Sequence, residues 1–343
     1  MTSEAVLKIS VIKGDGIGPH IVDKTVELLQ WLGDVKGFSL EFVETPAGDS
    51  VLKEVGTALP EDSLRKISAS DACLKGPVGE TARDVIVYLR QKLDLYANIR
   101  PFKNYPGVKS KWSGVDFIIV RENTEDLYRS VEDVGEDHAV ALLVITRKGA
   151  ERIARVGFDM AATRRKKLTI VHKANVVKAY QLFRNVCMQV AARYPSVATD
   201  EMYVDNAAYQ LIINPEYFDV ILTPNMFGDI LSDEAAGIVG TIGVAGSANI
   251  GDSFGLFEPV HGSAPTLNPE YANPTAMMLA ARMMLEWLGK AKNDRRLSEA
   301  AALVEKGVEN VLREGRSLTP DLGGKATCSE YVNEVKKKIS SLA

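Results

Sequence analysis

One proline, Pro19, narrows the fold more than any other residue. The apolar run over residues 7–12 reads as a strand, and it leads through Lys13-Gly14-Asp15-Gly16-Ile17-Gly18 into a segment carrying Ile21, Val22, Val26, Leu28 and Leu29. Proline suits the first turn of a helix, so a strand, a glycine loop and an amphipathic helix follow one another. A dinucleotide-binding unit opens this way, but its G-x-G-x-x-G fingerprint needs glycine at position 19. The chain is therefore expected to be α/β without the standard Rossmann arrangement. His20, next in line, is expected on the helix surface.

The alternation continues along the chain. A strand over 38–44 and a helix starting near Pro60-Glu61-Asp62 lead to a buried strand at 72–74. Lys75-Gly76-Pro77-Val78-Gly79 then forms a loop at a strand's carboxyl end, where α/β sheets place ligands. Val85, Ile86, Leu89 and Leu93 predict a helix over 83–93, and the Pro- and Lys-rich stretch 101–112 marks a domain crossing. Strands over 115–120 and 139–146 bracket an acid-rich segment, and a helix over 148–163 ends in Arg164-Arg165-Lys166-Lys167. That basic cluster reads as a solvated turn. A strand at 168–171, a helix at 176–194, a strand at 202–204 and a helix at 207–213 follow. After a Gly- and Ala-rich stretch, a helix near 276–288 uses Met277, Met278, Met283 and Met284 to fill core gaps, and two helices finish the chain.

With 343 residues there is room for two domains. A net charge of −4 offers no basic surface, so neither nucleic acid nor membrane lipid is an expected partner. No apolar run is long enough to span a bilayer. Cys73, Cys187 and Cys328 are scattered, which fits neither a disulfide framework nor a metal cluster. Nothing at Met1-Thr2-Ser3-Glu4 resembles a signal peptide, and a reduced, cytoplasmic protein is expected.

The chemistry concentrates in Asn225-Met226-Phe227-Gly228-Asp229-Ile230-Leu231-Ser232-Asp233-Glu234-Ala235. This run follows the apolar segment 218–223 and begins a helix at Pro224 and Asn225. Asp229 and Asp233 lie four apart and so share a helix face, where like charges repel. Such a pair alone is most simply a solvated acidic face; the apolar Ile230, Leu231, Ala235 and Ala236 argue against that here. A divalent cation held by oxygen ligands would remove the repulsion. Asp205, after the strand at 202–204, is a third candidate ligand. Three carboxylates without Cys or His nearby point to Mg²⁺ or Mn²⁺ rather than zinc. Arg90, Arg100 and Arg121, at the ends of elements, suit a substrate with two carboxylates. Tyr128 and Lys173 form a candidate acid and base.

These residues together resemble the β-decarboxylating dehydrogenases, the family of isopropylmalate, isocitrate, homoisocitrate and tartrate dehydrogenases. The likeness runs from Gly14–Pro19 to Thr319-Pro320-Asp321-Leu322-Gly323-Gly324. It is most specific in 225–236, in Phe257-Glu258-Pro259-Val260-His261-Gly262-Ser263-Ala264-Pro265, and in Ala272-Asn273-Pro274-Thr275. It implies a two-domain α/β sandwich, with residues 1–99 plus 241–343 binding cofactor and residues 100–240 carrying the metal site and dimer interface. It further implies an obligate homodimer with shared sites, assembly beyond the dimer being left open. Lys173, Asn175 and Asp205 would come from the second subunit. Asp205, Asp229 and Asp233 would hold the metal. Glu258, His261, Gly262, Ser263, Ala264, Asn273 and Asn225 would meet the cofactor.

Within such a family the cofactor and substrate can be narrowed further. Thr266, Leu267 and Pro320 stand where NADP enzymes put residues for the 2′-phosphate, which favours NAD, with Glu270 or Asp321 as ribose partners. Substrate-binding residues would be Arg90, Arg100, Arg121, Asn175, Asp205 and the apolar pair Ile86 and Val87, at positions where isopropylmalate enzymes are similar. Ile86 and Val87 give an isopropyl group area to bury, and Asp84 is expected to repel an added carboxylate. Arg83 and the run Asn123–Asp126 point instead toward isocitrate or homoisocitrate. The expected reaction is NAD-dependent oxidative decarboxylation of 3-isopropylmalate to 4-methyl-2-oxopentanoate and CO₂, in leucine biosynthesis. A non-catalytic regulatory subunit is the alternative of a different kind.

Overall fold

Residues 117–120 show how the molecule is layered. Phe117 and Ile119 pack with one set of helices, Ile118 and Val120 with another, and all four are buried. A strand apolar on both faces belongs inside a sheet covered by helices on both sides. The computed structural model describes residues 6–342. Its strands are β1 (Leu7–Ile12), β2 (Leu40–Glu44), β3 (Ala72–Lys75), β4 (Ala97–Lys103), β5 (Asp116–Glu122), β6 (Glu132–Val134), β7 (Ala139–Ala141), β8 (Lys167–His172), β9 (Ala198–Tyr203), β10 (Val220–Thr223), β11 (Gly246–Ile250) and β12 (Gly255–Pro259). Its α-helices are α1 (Gly18–Lys36), α2 (Asp49–Val55), α3 (Glu61–Ser68), α4 (Tyr88–Lys92), α5 (Arg147–Ala162), α6 (Ala179–Ala191), α7 (Val204–Ile213), α8 (Asn225–Ile238), α9 (Thr275–Ala291), α10 (Arg295–Glu314) and α11 (Cys328–Ser340).

Ten strands form one sheet in the order β2-β1-β3-β12-β11-β4-β5-β10-β8-β9. The two flanks are parallel, but β11 runs against both its neighbours and β4 runs against β11 and β5. The α/β expectation therefore holds, and so does the departure from a doubly wound parallel sheet. On one face, α1 and α9 to α11 cover β1, β3 and β12, while α5 and α6 cover β5, β8 and β10. On the other face, α3 and the segment 85–89 cover β3 and β12, and α7 and α8 cover β5 and β10. Between those last two groups the sheet is left open over β12, β11, β4 and β5. Met277, Met278 and Met284 are buried and Met283 packs beside them, as gap fillers should. No helix among the described residues is long and apolar enough to cross a membrane.

Several elements differ from expectation. The segment 83–93 is not one α-helix: residues Arg83–Val87 form a π-helical turn, and α4 follows it. Three successive β-branched residues, Val85, Ile86 and Val87, occupy that widened turn, and such side chains are stiff and poor helix formers. The strand expected over 139–146 shrinks to β7 and an isolated bridge at Val144, because its partner β6 offers only three residues. The strand at 202–204 is longer, and Val204 already belongs to α7, which puts Asp205 in a first helical turn. The cluster 164–167 is a turn, yet it is not merely solvated. Arg164 Nε donates to the fully buried Asp219 at 2.9 Å, and Arg164 also pairs with Asp116.

Gly246 shows how tightly α9 lies on the sheet, since a Cβ there would come within 2.7 Å of the Ala280 backbone nitrogen. Gly246→Ala is expected to destabilise the fold by about 1–3 kcal/mol, as read by denaturant unfolding. Unchanged stability would contradict this packing.

Candidate active site

The open stretch of sheet carries polar side chains in register. Asn98 on β4 stands opposite Asn249 on β11 and Arg121 on β5, and Glu258 on β12 stands opposite Ser247. Residues directly opposite on adjacent strands bring their side chains together on one face, so the floor becomes a hydrogen-bonded row. Asn98 Nδ2 donates to Asn249 Oδ1 at 2.8 Å and to Ser247 Oγ at 3.0 Å. Arg90 Nε donates to the same Asn249 oxygen at 2.9 Å, and Arg100 Nε donates to Asn98 Oδ1 at 2.7 Å. Glu258 accepts from Lys75 Nζ at 2.8 Å, Arg90 Nη2 at 3.1 Å and Asn249 Nδ2 at 2.9 Å. All of these side chains are buried.

Over this floor lies a cavity of about 280 Å³, lined among others by Lys75, Ile86, Val87, Arg90, Arg100, Tyr128, Asp229 and Glu258. The helix α8 forms its far wall. Asp229 accepts from Arg121 Nη1, from Arg100 Nη1 at 3.4 Å and from the Tyr128 hydroxyl at 2.7 Å. Burial opposes ionisation of Asp229, yet Arg121 and Arg100 outweigh it and hold the carboxyl at about 2. Glu258 is held at about 2 against burial by Lys75 and Arg90. Arg100 moves the other way, down to about 10, through burial and the neighbouring Arg121. Lys75, Arg90, Arg100 and Arg121 thus face Asp229 and Glu258 as their bonded counter-charges, leaving two positive charges unmatched. A dianion fits that surplus.

Local structure explains the placements. Gly228 lets α8 approach β5, because a Cβ there would come within 2.7 Å of Arg121 Cβ. Tyr128 sits on a short 3-10 turn, Leu127–Arg129, capped by Asp126, which has φ of 66° and is pinned by Tyr180 Oη and Met226 N, each at 3.0 Å. Burial and the adjacent Asp229 both raise the Tyr128 pKa, so its proton stays on at neutral pH.

The structure gathers Arg90, Arg100, Arg121, Tyr128, Ile86, Val87, Asp229 and Glu258 in one place. Asp233 lies one turn beyond Asp229, on the open side of α8. Burial and the neighbouring Asp229 raise its pKa, against the pull of Arg100 and Arg121. Lys173 and Asp205 do not join this group; they pair with each other on an exposed patch, with Asn175 exposed beside them. His172 is buried, not part of the site surface, and its Nδ1 accepts from Ala174 N at 3.2 Å. Among the described residues no three His, Cys, Asp or Glu side chains stand close enough to hold a metal. Asp229 and Asp233 are the hard oxygen donors that α8 offers beside the cavity.

His261 and Gly262 border the cavity, with Ser263 and Ala264 continuing the loop, and Asn273 donates to Asp321 at 2.9 Å near by. Asp321 also accepts from Thr319, so its carboxylate is already engaged. Asn225 and Glu258, expected at the cofactor, are also bonded within the chain's own polar network. Asn225 Oδ1 accepts two bonds from Arg121 and its Nδ2 reaches Glu125 O, which makes it a positioning residue for Arg121. Glu258 serves Lys75 and Arg90 in the same way. Asp84 is a correction: it is exposed and borders a groove with Leu52, Tyr88 and Lys92 instead of the cavity. Side chains two apart on a helical turn face opposite sides, so Asp84 cannot share the pocket with Ile86. Sequence reasoning missed Lys75, Asn98 and Asn249.

A model of the isocitrate/isopropylmalate dehydrogenase family matches residues 8–335. The chain belongs to that family. It is 48% identical to a 3-isopropylmalate dehydrogenase of Sulfurisphaera tokodaii over 96% of this chain and 98% of that one. It is 46% identical to an isocitrate/homoisocitrate dehydrogenase of Thermus thermophilus over 98% and 99% of the two. Among solved structures, an isocitrate dehydrogenase from Methylococcus capsulatus superimposes with a TM-score of 0.90 at 40% identity, covering 97% of this chain and 99% of that one. Membership makes this a dehydrogenase of the isocitrate/isopropylmalate family.

The buried floor makes a direct prediction. Glu258→Gln strands Lys75 and Arg90 without a counter-charge and should cost about 3–5 kcal/mol. The folded pKa of Glu258 is depressed, so its contribution is fully present above about pH 4.5 and is lost as pH falls toward 2. Chemical unfolding of both forms at pH 7 and at lower pH should show the gap narrowing with acid; a constant gap would contradict the ion-pair account.

Proposed function

We propose that the chain oxidises and decarboxylates 3-isopropylmalate with NAD as hydride acceptor, acting as a homodimer with shared sites. The observation that carries the reading is the cavity itself, where cations in excess of their counter-charges meet an apolar wall of Ile86 and Val87. Arg90, Arg100 and Arg121 suit the two carboxylates of a malate, and the wall suits its isopropyl group. The relative from Sulfurisphaera tokodaii, named for that activity, supports the same choice.

Asp229 and Asp233 fit a divalent cation, with Asp205 of a second copy as the third ligand. Bound there, Mg²⁺ or Mn²⁺ would supply a Lewis acid for the hydroxyl and keto oxygens, and NAD the acceptor for the C2 hydride. The chain's own groups do the rest. The arginines orient the substrate, and Lys173 of the second copy takes the proton from its C2 hydroxyl. The Tyr128 hydroxyl returns a proton to the carbon that loses CO₂. Two features support the dimer. Lys173 and Asp205 lie apart from the cavity in their own chain, and α7 and α8 expose Tyr209, Ile212, Ile213 and Ile230 beside them. Contiguous apolar surface of this kind marks an interaction site. NAD is favoured over NADP because Thr266, Leu267 and Pro320 stand where NADP enzymes place Lys and Tyr for the 2′-phosphate, and none of the three carries a charge or a phenol.

The test is kcat/KM for 3-isopropylmalate, isocitrate and homoisocitrate, each with NAD and NADP in the presence of Mg²⁺. The expected order puts 3-isopropylmalate with NAD first; a preference for isocitrate or homoisocitrate would overturn the substrate. Ile86→Asn should lower kcat/KM for 3-isopropylmalate by about 10–200-fold, the range for a mismatched apolar contact. An unchanged value would mean that Ile86 does not meet the substrate.

A further inference from the structure

The loop that failed the dinucleotide fingerprint has another task. Asp15 Oδ2 accepts from the backbone nitrogens of Asp49 at 2.9 Å and Gly79 at 3.0 Å, and Oδ1 accepts from Ser50 N at 3.1 Å. Asp49 in turn accepts from Glu80 N at 3.1 Å, Thr81 N at 2.9 Å and Thr81 Oγ1 at 2.7 Å. Two carboxylates therefore hold the backbone of residues 79–81, a stretch outside any helix or strand. Carboxylates accepting backbone N–H groups make short, strong bonds.

What they hold is the cavity wall. Pro77, Val78, Ala82 and Ile86 line the cavity, and Thr81 O accepts from Asp84 N and Val85 N, which starts the π-helical turn. The main chain of the same loop reaches the cofactor side as well. Asp15 N donates to Pro77 O at 2.8 Å, and Ile17 N donates to Ser263 O at 3.0 Å. Gly14 and Gly16 make these approaches possible: both have positive φ, and a Cβ on either would lie 2.0 Å from the carbonyl of Pro77 or of Ser263. The glycines admit neighbouring backbone, not a pyrophosphate.

We propose that Asp15 is a positioning residue that fixes the substrate wall 77–86 and the loop at Ser263 relative to each other. The proposal rests on reading this cavity as a site for a hydroxy acid and a dinucleotide. Asp15 touches neither ligand. It sets the distance between the surfaces that do, and misplacement by an ångström is enough to weaken productive binding.

The experiment compares Asp15→Asn and Asp15→Ala with Thr327→Ala, which removes the capping box of α11 well outside the cavity. Asparagine keeps the shape but turns one acceptor into a donor facing an N–H. In Asp15→Ala, KM for 3-isopropylmalate and the Kd of NADH, read by its fluorescence, should both rise about tenfold while kcat stays within about threefold. Asp15→Asn should raise both constants less, and Thr327→Ala should lower Tm without moving either. If either constant stays within about twofold of the unsubstituted chain in both Asp15 variants, the proposal falls. If Asp15→Ala does not fold, Asp15→Asn decides. If the unsubstituted chain leaves 3-isopropylmalate untouched, the substrate reading fails separately, and the Kd of NADH or NADPH still decides the role of Asp15.

Discussion

Four cations held almost out of water set the terms for everything around them. Lys75, Arg90, Arg100 and Arg121 are each at most 6% exposed. Ions so placed are tolerated only with counter-charges and full hydrogen bonding. Asp229 and Glu258 supply the charge, while Asn98, Asn225, Asn249 and Ser232 supply the remaining acceptors. The polar row lies where β12, β11, β4 and β5 meet, the antiparallel centre of the sheet. Strands β11, β4 and β5 lay their side chains opposite one another, which is how an asparagine on one reaches an arginine on the next. The four cations outnumber the two carboxylates bonded to them, so the cavity keeps positive charge.

Much of this was legible in the sequence, for a physical reason. Asp229 and Asp233 share a helix face by spacing alone, whereas Arg90, Arg100 and Arg121 pointed to a site only as a set; Arg90 and Arg100 lie in the middle of α4 and β4, not at element ends. The strand–loop–helix alternation fixed the α/β class, and Pro19 correctly removed the standard dinucleotide loop. Only the family resemblance set Lys173 and Asp205 apart from the arginines, and the fold shows them paired on an exposed patch away from the cavity.

The misses have a common origin in long-range pairing. Asn98 and Asn249 lie 151 positions apart, and nothing local reveals that they face each other across a strand pair. Lys75 reads as a loop residue until β12 brings Glu258 against it. Asn225, given a cofactor role by resemblance, also bonds Arg121 and Glu125 across about 100 residues, pairings that no local signal gives. Asp84 failed differently. Treating 83–93 as a specificity helix put it beside Ile86, whereas two successive even positions on a helical turn point apart. The π-helical turn itself comes from three β-branched residues in a row, a pattern that periodicity alone does not register.

The central claim is that one chain builds the anion-binding half of the site and a second copy supplies its base. Mixing subunits tests this directly. Asp229→Asn and Lys173→Ala, each purified, should be folded and inactive alone. After joint unfolding and refolding of equal amounts, half of the dimers carry one intact site, so about a quarter of the unsubstituted activity should return. If no activity returns although mixed dimers form, the base and the arginines belong to the same chain and the account is wrong.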